Sequence, residues 1–262
     1  MRRFIVCVKQ VPDTTEVKID PETNTLIREG VPSILNPFDQ FTLEEAIKIK
    51  KEGDEIIAIS MGPPQAKKAL LKCLALGADR AILLTDKNFA GADTWATAYT
   101  LAQCIRKIGD YDAIFCGLQA IDGDTAQVGP ELAAQLGIPQ ITYVESVEKL
   151  EGNKLEVKAQ TDDGYKIVEA RLPILVTGIT TSSFEPINPP MTSIMKANKK
   201  PLLVWDSNDL GGDKDKYGLN GSLTQVIKVY SPPVRQKGVI IKENPKAAVE
   251  KLIDLLSKDK VI

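Results

Sequence analysis

The chain has 262 residues, of which 43% are apolar and 26% charged, with a net charge of −2. That length suits one large α/β domain with an appendage or two small domains, and the near-balanced charge gives no reason to expect nucleic acid or an anionic membrane as a partner. There is no histidine, which removes Ser-His-Asp and Cys-His catalysis, and Cys7, Cys73, Cys104 and Cys116 stand too far apart for a CxxC pair that could hold zinc or an iron–sulfur cluster.

The opening run Phe4–Val8 reads as a first strand ended by Lys9. Its apolar stretch is too short for a secretory signal, and no window reaches the roughly 18 apolar residues of a membrane span, so the expectation is a cytoplasmic protein. Strand patterns recur at Glu55–Ser60, Arg80–Leu84, Ala113–Cys116 and Ile174–Thr177, and helical patterns lie between them at Phe38–Lys51, Pro64–Leu76, Ala92–Ile108 and Thr125–Leu136. Such repeated strand–helix units predict a doubly wound, mostly parallel α/β sheet in three layers. Asn36 before Pro37 is placed to cap the first helix, Gly77 to end the second, and Asp93 or Thr94 to cap the third.

Two stretches break the alternation. Val17–Ile19 and Thr25–Ile27 flank a turn and predict a hairpin, and Lys154–Ala159 with Tyr165–Arg171 predicts an antiparallel ribbon beside the sheet. Beyond Thr177 the prolines of Phe184–Pro190 forbid a regular helix or central strand, and a basic helix follows over Ser193–Lys200. Asp209–Gly221 has the composition of a surface linker, and Ala247, Ala248, Leu252, Ile253 and Leu256 mark one amphipathic helix over Asn244–Lys258. The expected division is residues 1–200 as a nucleotide-binding domain and residues 201–262 as linker and C-terminal arm.

One loop carries chemistry. Gly117-Leu-Gln-Ala-Ile-Asp-Gly-Asp-Thr-Ala-Gln-Val-Gly-Pro130 follows a strand and leads into a helix. A helix start after a parallel strand presents free N–H groups and a partial positive charge, which suit phosphate oxygens. Gly123 and Gly129 permit close approach, Thr125 offers a hydroxyl, and Asp124 with Gln127 has the spacing of a capping box. Against this, Asp122 and Asp124 repel phosphate, and the string is neither a Walker loop nor a GxGxxG fingerprint. On the residues alone, a phosphate site and a plain strand–loop–helix turn fit equally.

The chain resembles the β subunits of electron-transfer flavoproteins. The resemblance rests on Gln119-Ala-Ile-Asp122 with the eight residues after it. Val6–Asp13, Asn36-Pro-Phe38, Ser60-Met-Gly-Pro63, Ala75–Arg80 and Ile194-Met-Lys-Ala197 match further family motifs in order, over nearly the whole chain. It implies a heterodimer with an α subunit and a β-bound nucleotide held by Cys7, Asn36, Met61, Gly117, Gln119, Ala120, Ile121, Asp122, Gly123, Asp124, Thr125, Ala126, Gln127 and Val128. Ordinary members hold structural AMP there and act as carriers. The run Asp122–Pro130 is similar instead to the electron-bifurcating branch, whose β subunit binds FAD, with NADH docking at the match to Phe89, Ala90, Gly91, Ala92, Asp93 and Thr94. That branch passes electrons to ferredoxin or flavodoxin and, through the FAD of the α subunit, to a partner dehydrogenase.

Partner docking falls by the same resemblance on residues 182–200, with Phe184, Glu185, Pro186, Ile187, Met195 and Lys196, and the terminal helix is expected to dock on the α subunit. Phe184-Glu-Pro-Ile187 departs from the family's usual string, leaving an acyl-CoA dehydrogenase or a flavoprotein 2-hydroxyacid dehydrogenase open as partner. A non-redox domain that binds an adenine nucleotide for regulation is the reading from a different class. No general acid or base and no metal is assigned.

Overall fold

A computed structural model describes residues 1–13, 32–227 and 238–262, so the expected hairpin over residues 17–27 lies outside the described residues. In chain order the elements are β1 (Arg3–Cys7), β2 (Gln10–Pro12), β3 (Ser33–Leu35), α1 (Pro37–Ile49), β4 (Glu55–Met61), α2 (Lys67–Leu76), β5 (Arg80–Leu84), α3 (Thr94–Ile108), β6 (Ala113–Gly117) and α4 (Val128–Leu136). They continue with β7 (Gln140–Glu151), β8 (Lys154–Thr161), β9 (Gly164–Arg171), β10 (Ile174–Gly178), α5 (Met191–Ala197), β11 (Leu202–Trp205), α6 (Ser207–Leu210), α7 (Gly218–Gly221) and α8 (Pro245–Lys258).

Nine strands form one sheet in the order β11-β5-β4-β1-β6-β10-β7-β8-β9. From β11 to the start of β7 every pairing is parallel, and only β7–β8 and β8–β9 run antiparallel. This is the expected doubly wound sheet with its ribbon at one edge.

The layers follow from the two-residue period of the strands. Phe4, Val6, Ile56, Ala58, Phe115 and Val176 face one core beneath α1 and α2. Ile5, Cys7, Ile57, Ile59, Ile114 and Leu175 face the other, with Leu101, Ile105 and Leu132 from α3 and α4. Strands buried on both faces must read as nearly continuous apolar runs, as these do. Phe4 and Phe115 meet edge to face at 5.9 Å between centroids, an arrangement that favours aromatic pairs beyond their burial. All four cysteines are free and buried, and burial pushes the Cys104 thiol up to about 12.

Three expectations need correction. The chain after residue 200 does not begin as a linker: β11 adds a parallel edge strand beside β5, and one compact unit runs from Met1 to Ile227. Asp209–Gly221 is folded onto that unit, with Tyr217 buried between Phe89 and Tyr99 at centroid distances of 5.2 and 5.3 Å. The helix expected from Thr125 starts at Val128. Pro130 explains the shift, because a start at Thr125 would bury a residue without an N–H in the helix interior, whereas a start at Val128 keeps it in the first turn.

In the second unit, α8 carries its side-chain cap at Asn244, whose Oδ1 accepts from the Ala247 N–H at 3.1 Å. Val249, Leu252 and Ile253 are exposed. No helix among the described residues is long and apolar enough to cross a membrane.

Candidate functional site

The first helical crossovers lead from β1 to β4 on one side and, later in the chain, to β6 on the other, so the order of winding reverses between β1 and β6. Crevices beyond the carboxyl ends of strands at such a switch point are where open α/β sheets bind ligands. Cys7 and Cys116 are paired neighbours at the ends of these two strands. A cavity of about 590 Å³ opens there.

Asp39 organises the floor. Its Oδ2 accepts from the Lys9 N–H at 2.7 Å and its Oδ1 from the Gly117 N–H at 3.1 Å, tying the ends of both strands to the first turn of α1. Burial pushes its carboxyl up to about 7, against the lowering effect of those amides and of Asn36 and Lys9. Gly117 has no alternative here: a Cβ would stand 2.3 Å from Asp39 Oδ1 and 2.9 Å from the Asp39 nitrogen.

Asn36 sits at the N-cap position but makes no side-chain cap bond. Its amide reaches across to the loop instead: Nδ2 donates to the Gln119 carbonyl at 2.9 Å and Oδ1 accepts from the Ile121 N–H at 3.2 Å. Asp122 pairs with the Lys9 ammonium at 2.7 Å, which answers the objection that its charge faces a phosphate. Asp124 is not the helix cap either, and the expected capping box with Gln127 is absent. Its Oδ1 accepts from Gln119 Nε2 at 2.9 Å, and its backbone is left-handed at φ 49°, as is that of Ala126 at φ 53°. A left-handed alanine carries strain of the kind that concentrates at ligand loops. The N–H groups of Thr125, Ala126, Gln127, Val128 and Gly129 donate to no acceptor among the described residues, leaving a row of donors before and within the first turn of α4.

Of the expected nucleotide residues, Cys7, Met61, Gly117, Gln119, Ala120, Gly123, Asp124, Thr125, Ala126, Gln127 and Val128 line this cavity. Asn36, Ile121 and Asp122 do not line it; Asn36 bonds the backbone of Gln119 and Ile121, and Asp122 pairs with Lys9. Of the second expected group, Ala92, Asp93 and Thr94 line the same cavity, while Phe89, Ala90, Gly91 and Ala92 line a neighbouring one of about 910 Å³. The two cavities share Lys9, Met61 and Ala92.

Asp93, rather than Thr94, caps α3, and its Oδ1 accepts from the Ala96 N–H at 2.9 Å. Burial pushes its carboxyl up, but the donors on Ala96, Thr224 and Leu223 outweigh burial and hold it below the ordinary carboxylate range. Thr94 Oγ1 donates to Glu131 Oε1 at 3.1 Å. Glu131 Oε2 is buried with no partner among the described residues, and burial raises this carboxyl.

The sequence reading missed several lining residues: Lys9, Asp39, Trp95, Glu131, Leu223 and Thr224. Trp95 and Glu131 lie one residue beyond segments already singled out, so extending each motif by a position would have found them. Nothing local marks Leu223 and Thr224.

The third group stands apart from the cavities. Phe184 packs edge to face on Phe41 at 5.3 Å, and Gln40 and Glu44 hold the backbone of Ile187. Ile187, Met191, Ile194 and Met195, close together in sequence, are all exposed.

The electron transfer flavoprotein domain model matches residues 23–210. The chain is 52% identical over 261 residues to the electron transfer flavoprotein subunit beta of Thermoanaerobacterium thermosaccharolyticum, covering 99% of each. It is 50% identical over 241 residues to the caffeyl-CoA reductase-Etf complex subunit CarD of Acetobacterium woodii, covering 91% of each. It is 41% identical over 268 residues to the acryloyl-CoA reductase electron transfer subunit gamma of Anaerotignum propionicum, covering 99% of this chain and all of that one. The chain belongs to the electron transfer flavoprotein family, as a protein of the β-subunit type.

Proposed function

We propose that this electron transfer flavoprotein β chain pairs with an α subunit and binds FAD. In this reading it takes reducing equivalents from NADH and divides the electrons between ferredoxin or flavodoxin and, through the FAD of the α subunit, a partner dehydrogenase. The observation that carries the reading is a pair of adjoining cavities beyond the carboxyl ends of the strands, the first at the switch point and the second behind β1, β4 and β5, which meet at Lys9, Met61 and Ala92. A mononucleotide needs only the first; a dinucleotide as long as FAD uses both.

The residues suit that ligand. The unpaired amides from Thr125 to Gly129 supply donors for a pyrophosphate, supported by the partial positive end of α4. Lys9 neutralises Asp122, so that carboxylate does not repel the phosphates. Glu131 offers an acceptor for a hydroxyl or amino group. The loop Phe89–Ala92 lines the second cavity, where a nicotinamide could meet the other end of the cofactor. Bound flavin supplies the acceptance of a hydride and the release of single electrons; the chain positions it and sets its surroundings.

For the dehydrogenase, the reductase complexes named for the two relatives favour a partner acting on acyl-CoA thioesters over one acting on 2-hydroxyacids. The exposed apolar side chains of Ile187, Met191, Ile194 and Met195 are the proposed docking surface. NADH titrated without oxygen into the purified αβ complex is expected to bleach its flavin absorbance. A complex that dithionite reduces and NADH does not would overturn the NADH reading and leave an ordinary carrier.

A further inference from the structure

The segment from Gly211 to Thr224 has a linker's composition, yet it is stitched to the loop that opens α3. The Leu219 N–H donates to the Ala90 carbonyl at 3.1 Å. Gly218 has φ +55°, and a Cβ there would lie 2.1 Å from the Asn88 carbonyl oxygen, so only glycine lets the two backbones come this near. Ser222 Oγ accepts from the Asp93 N–H at 2.8 Å and donates to the Gly218 carbonyl at 2.9 Å.

The knot is the Asp93 carboxylate. While Oδ1 caps α3, Oδ2 accepts from the Leu223 N–H at 2.8 Å, the Thr224 N–H at 2.9 Å and Thr224 Oγ1 at 3.0 Å. A carboxylate has about four lone-pair sites, and with one donor on Oδ1 and three on Oδ2 most of this one's acceptor capacity is taken up within the protein. What its bonds accomplish is to set Leu223 and Thr224 into the wall of the first cavity. Leu223 stands there 77% exposed, an apolar side chain with an uncovered face.

We propose that Asp93 is a positioning residue that latches residues 217–224 across the nucleotide cavity, so that Leu223 and Thr224 belong to the ligand site and nucleotide binding is coupled to closure of this strap. The inference rests on the cavity holding an adenine nucleotide, whether FAD or AMP. The coupling is reciprocal: a ligand that packs on Leu223 holds the strap closed, and a strap pulled away weakens the ligand.

Asp93→Asn separates the two jobs of the carboxylate. Asparagine still caps a helix, but its amide nitrogen cannot accept from Leu223 and Thr224. The purified αβ complex, with its nucleotide bound and after stripping, is compared with the same complex carrying Asp93→Asn. Hydrogen exchange over residues 219–225 and the rate of nucleotide release are measured. In the native complex the amides of Leu223 and Thr224 exchange at least tenfold more slowly with nucleotide bound. Asp93→Asn removes that difference and speeds release about tenfold, the scale of losing hydrogen bonds to a charged acceptor, while exchange at the start of α3 stays native. Asp93→Glu recovers part of the retention. Equal exchange in loaded and stripped native complex, or native release from Asp93→Asn, overturns the latch alone. A complex that carries no adenine nucleotide and takes none up overturns the reading of the cavity and the latch with it.

Discussion

At the amino ends of the parallel strands, Glu55 and Asp79 are paired with cations; at the carboxyl ends, Asp39 and Asp93 are committed to the backbone amides of loops. Glu55, at the start of β4, lies between Arg3 Nε at 2.7 Å and Arg80 Nε at 2.8 Å, each at the start of a neighbouring strand. Lys50 meets Asp79 at 2.7 Å on the same edge. Across the sheet, Asp39 holds the amides of Lys9 and Gly117, Asp93 those of Ala96, Leu223 and Thr224, and Glu131 keeps one buried oxygen without a partner among the described residues. Charges paired with charges close an edge and ask nothing of a ligand. Carboxylates spent on backbone N–H groups fix loops in place around an opening, and the donors and acceptors left over there belong to whatever fills it.

The comparison is open to attack by substitution. Gly117→Val should have the largest effect. A side chain driven against Asp39 separates the end of β6 from α1, costing about 1–3 kcal/mol of stability in urea unfolding and abolishing nucleotide retention. Valine tolerated with nucleotide retained would mean that the crevice floor is not where the ligand sits.

Asp39→Asn comes next. Its folded-state value of about 7 lies above the ordinary 3.8. The stability this group contributes is complete below 3.8 and is lost as pH rises through about 7. Denaturation of the native protein between pH 4 and pH 8 should show that decline, and the asparagine variant should flatten it.

Asp124→Ala combined with Thr125→Ala removes the Gln119 contact and the loop hydroxyl. It should cut nucleotide retention about tenfold with little change in stability. Glu55→Gln, on the opposite edge, is the smallest. Its pairs are partly exposed, so about 1 kcal/mol or less is at stake, and nucleotide retention should be unchanged. Retention lost at Glu55 and kept at Asp124 would reverse the roles assigned to the two edges.

Much of this was legible in the sequence, because the parallel strands are buried on both faces and announce themselves as apolar runs. The pattern of Arg80–Leu84 matches its strand to the residue, and the other four strand patterns match to within a residue at each end. What escaped depends on contacts distant in the chain. Leu202–Trp205 is only four residues long and becomes a strand because β5 offers it an open edge. The polar run after Asp209 folds on one buried ring, Tyr217, which has no periodicity to betray it. At the site, Gly117 and the loop after it were visible as a strand-to-helix turn. The partners of Asn36, Asp93 and Asp122 were not, since each reaches residues far away in sequence.

We propose that the two adjoining cavities of this chain hold one dinucleotide. The most direct test is the cofactor content of the αβ complex purified without added nucleotide, released by denaturation and quantified. The expected content is two FAD per heterodimer and no AMP. One FAD and one AMP per heterodimer would contradict it and return the β chain to the role of a scaffold.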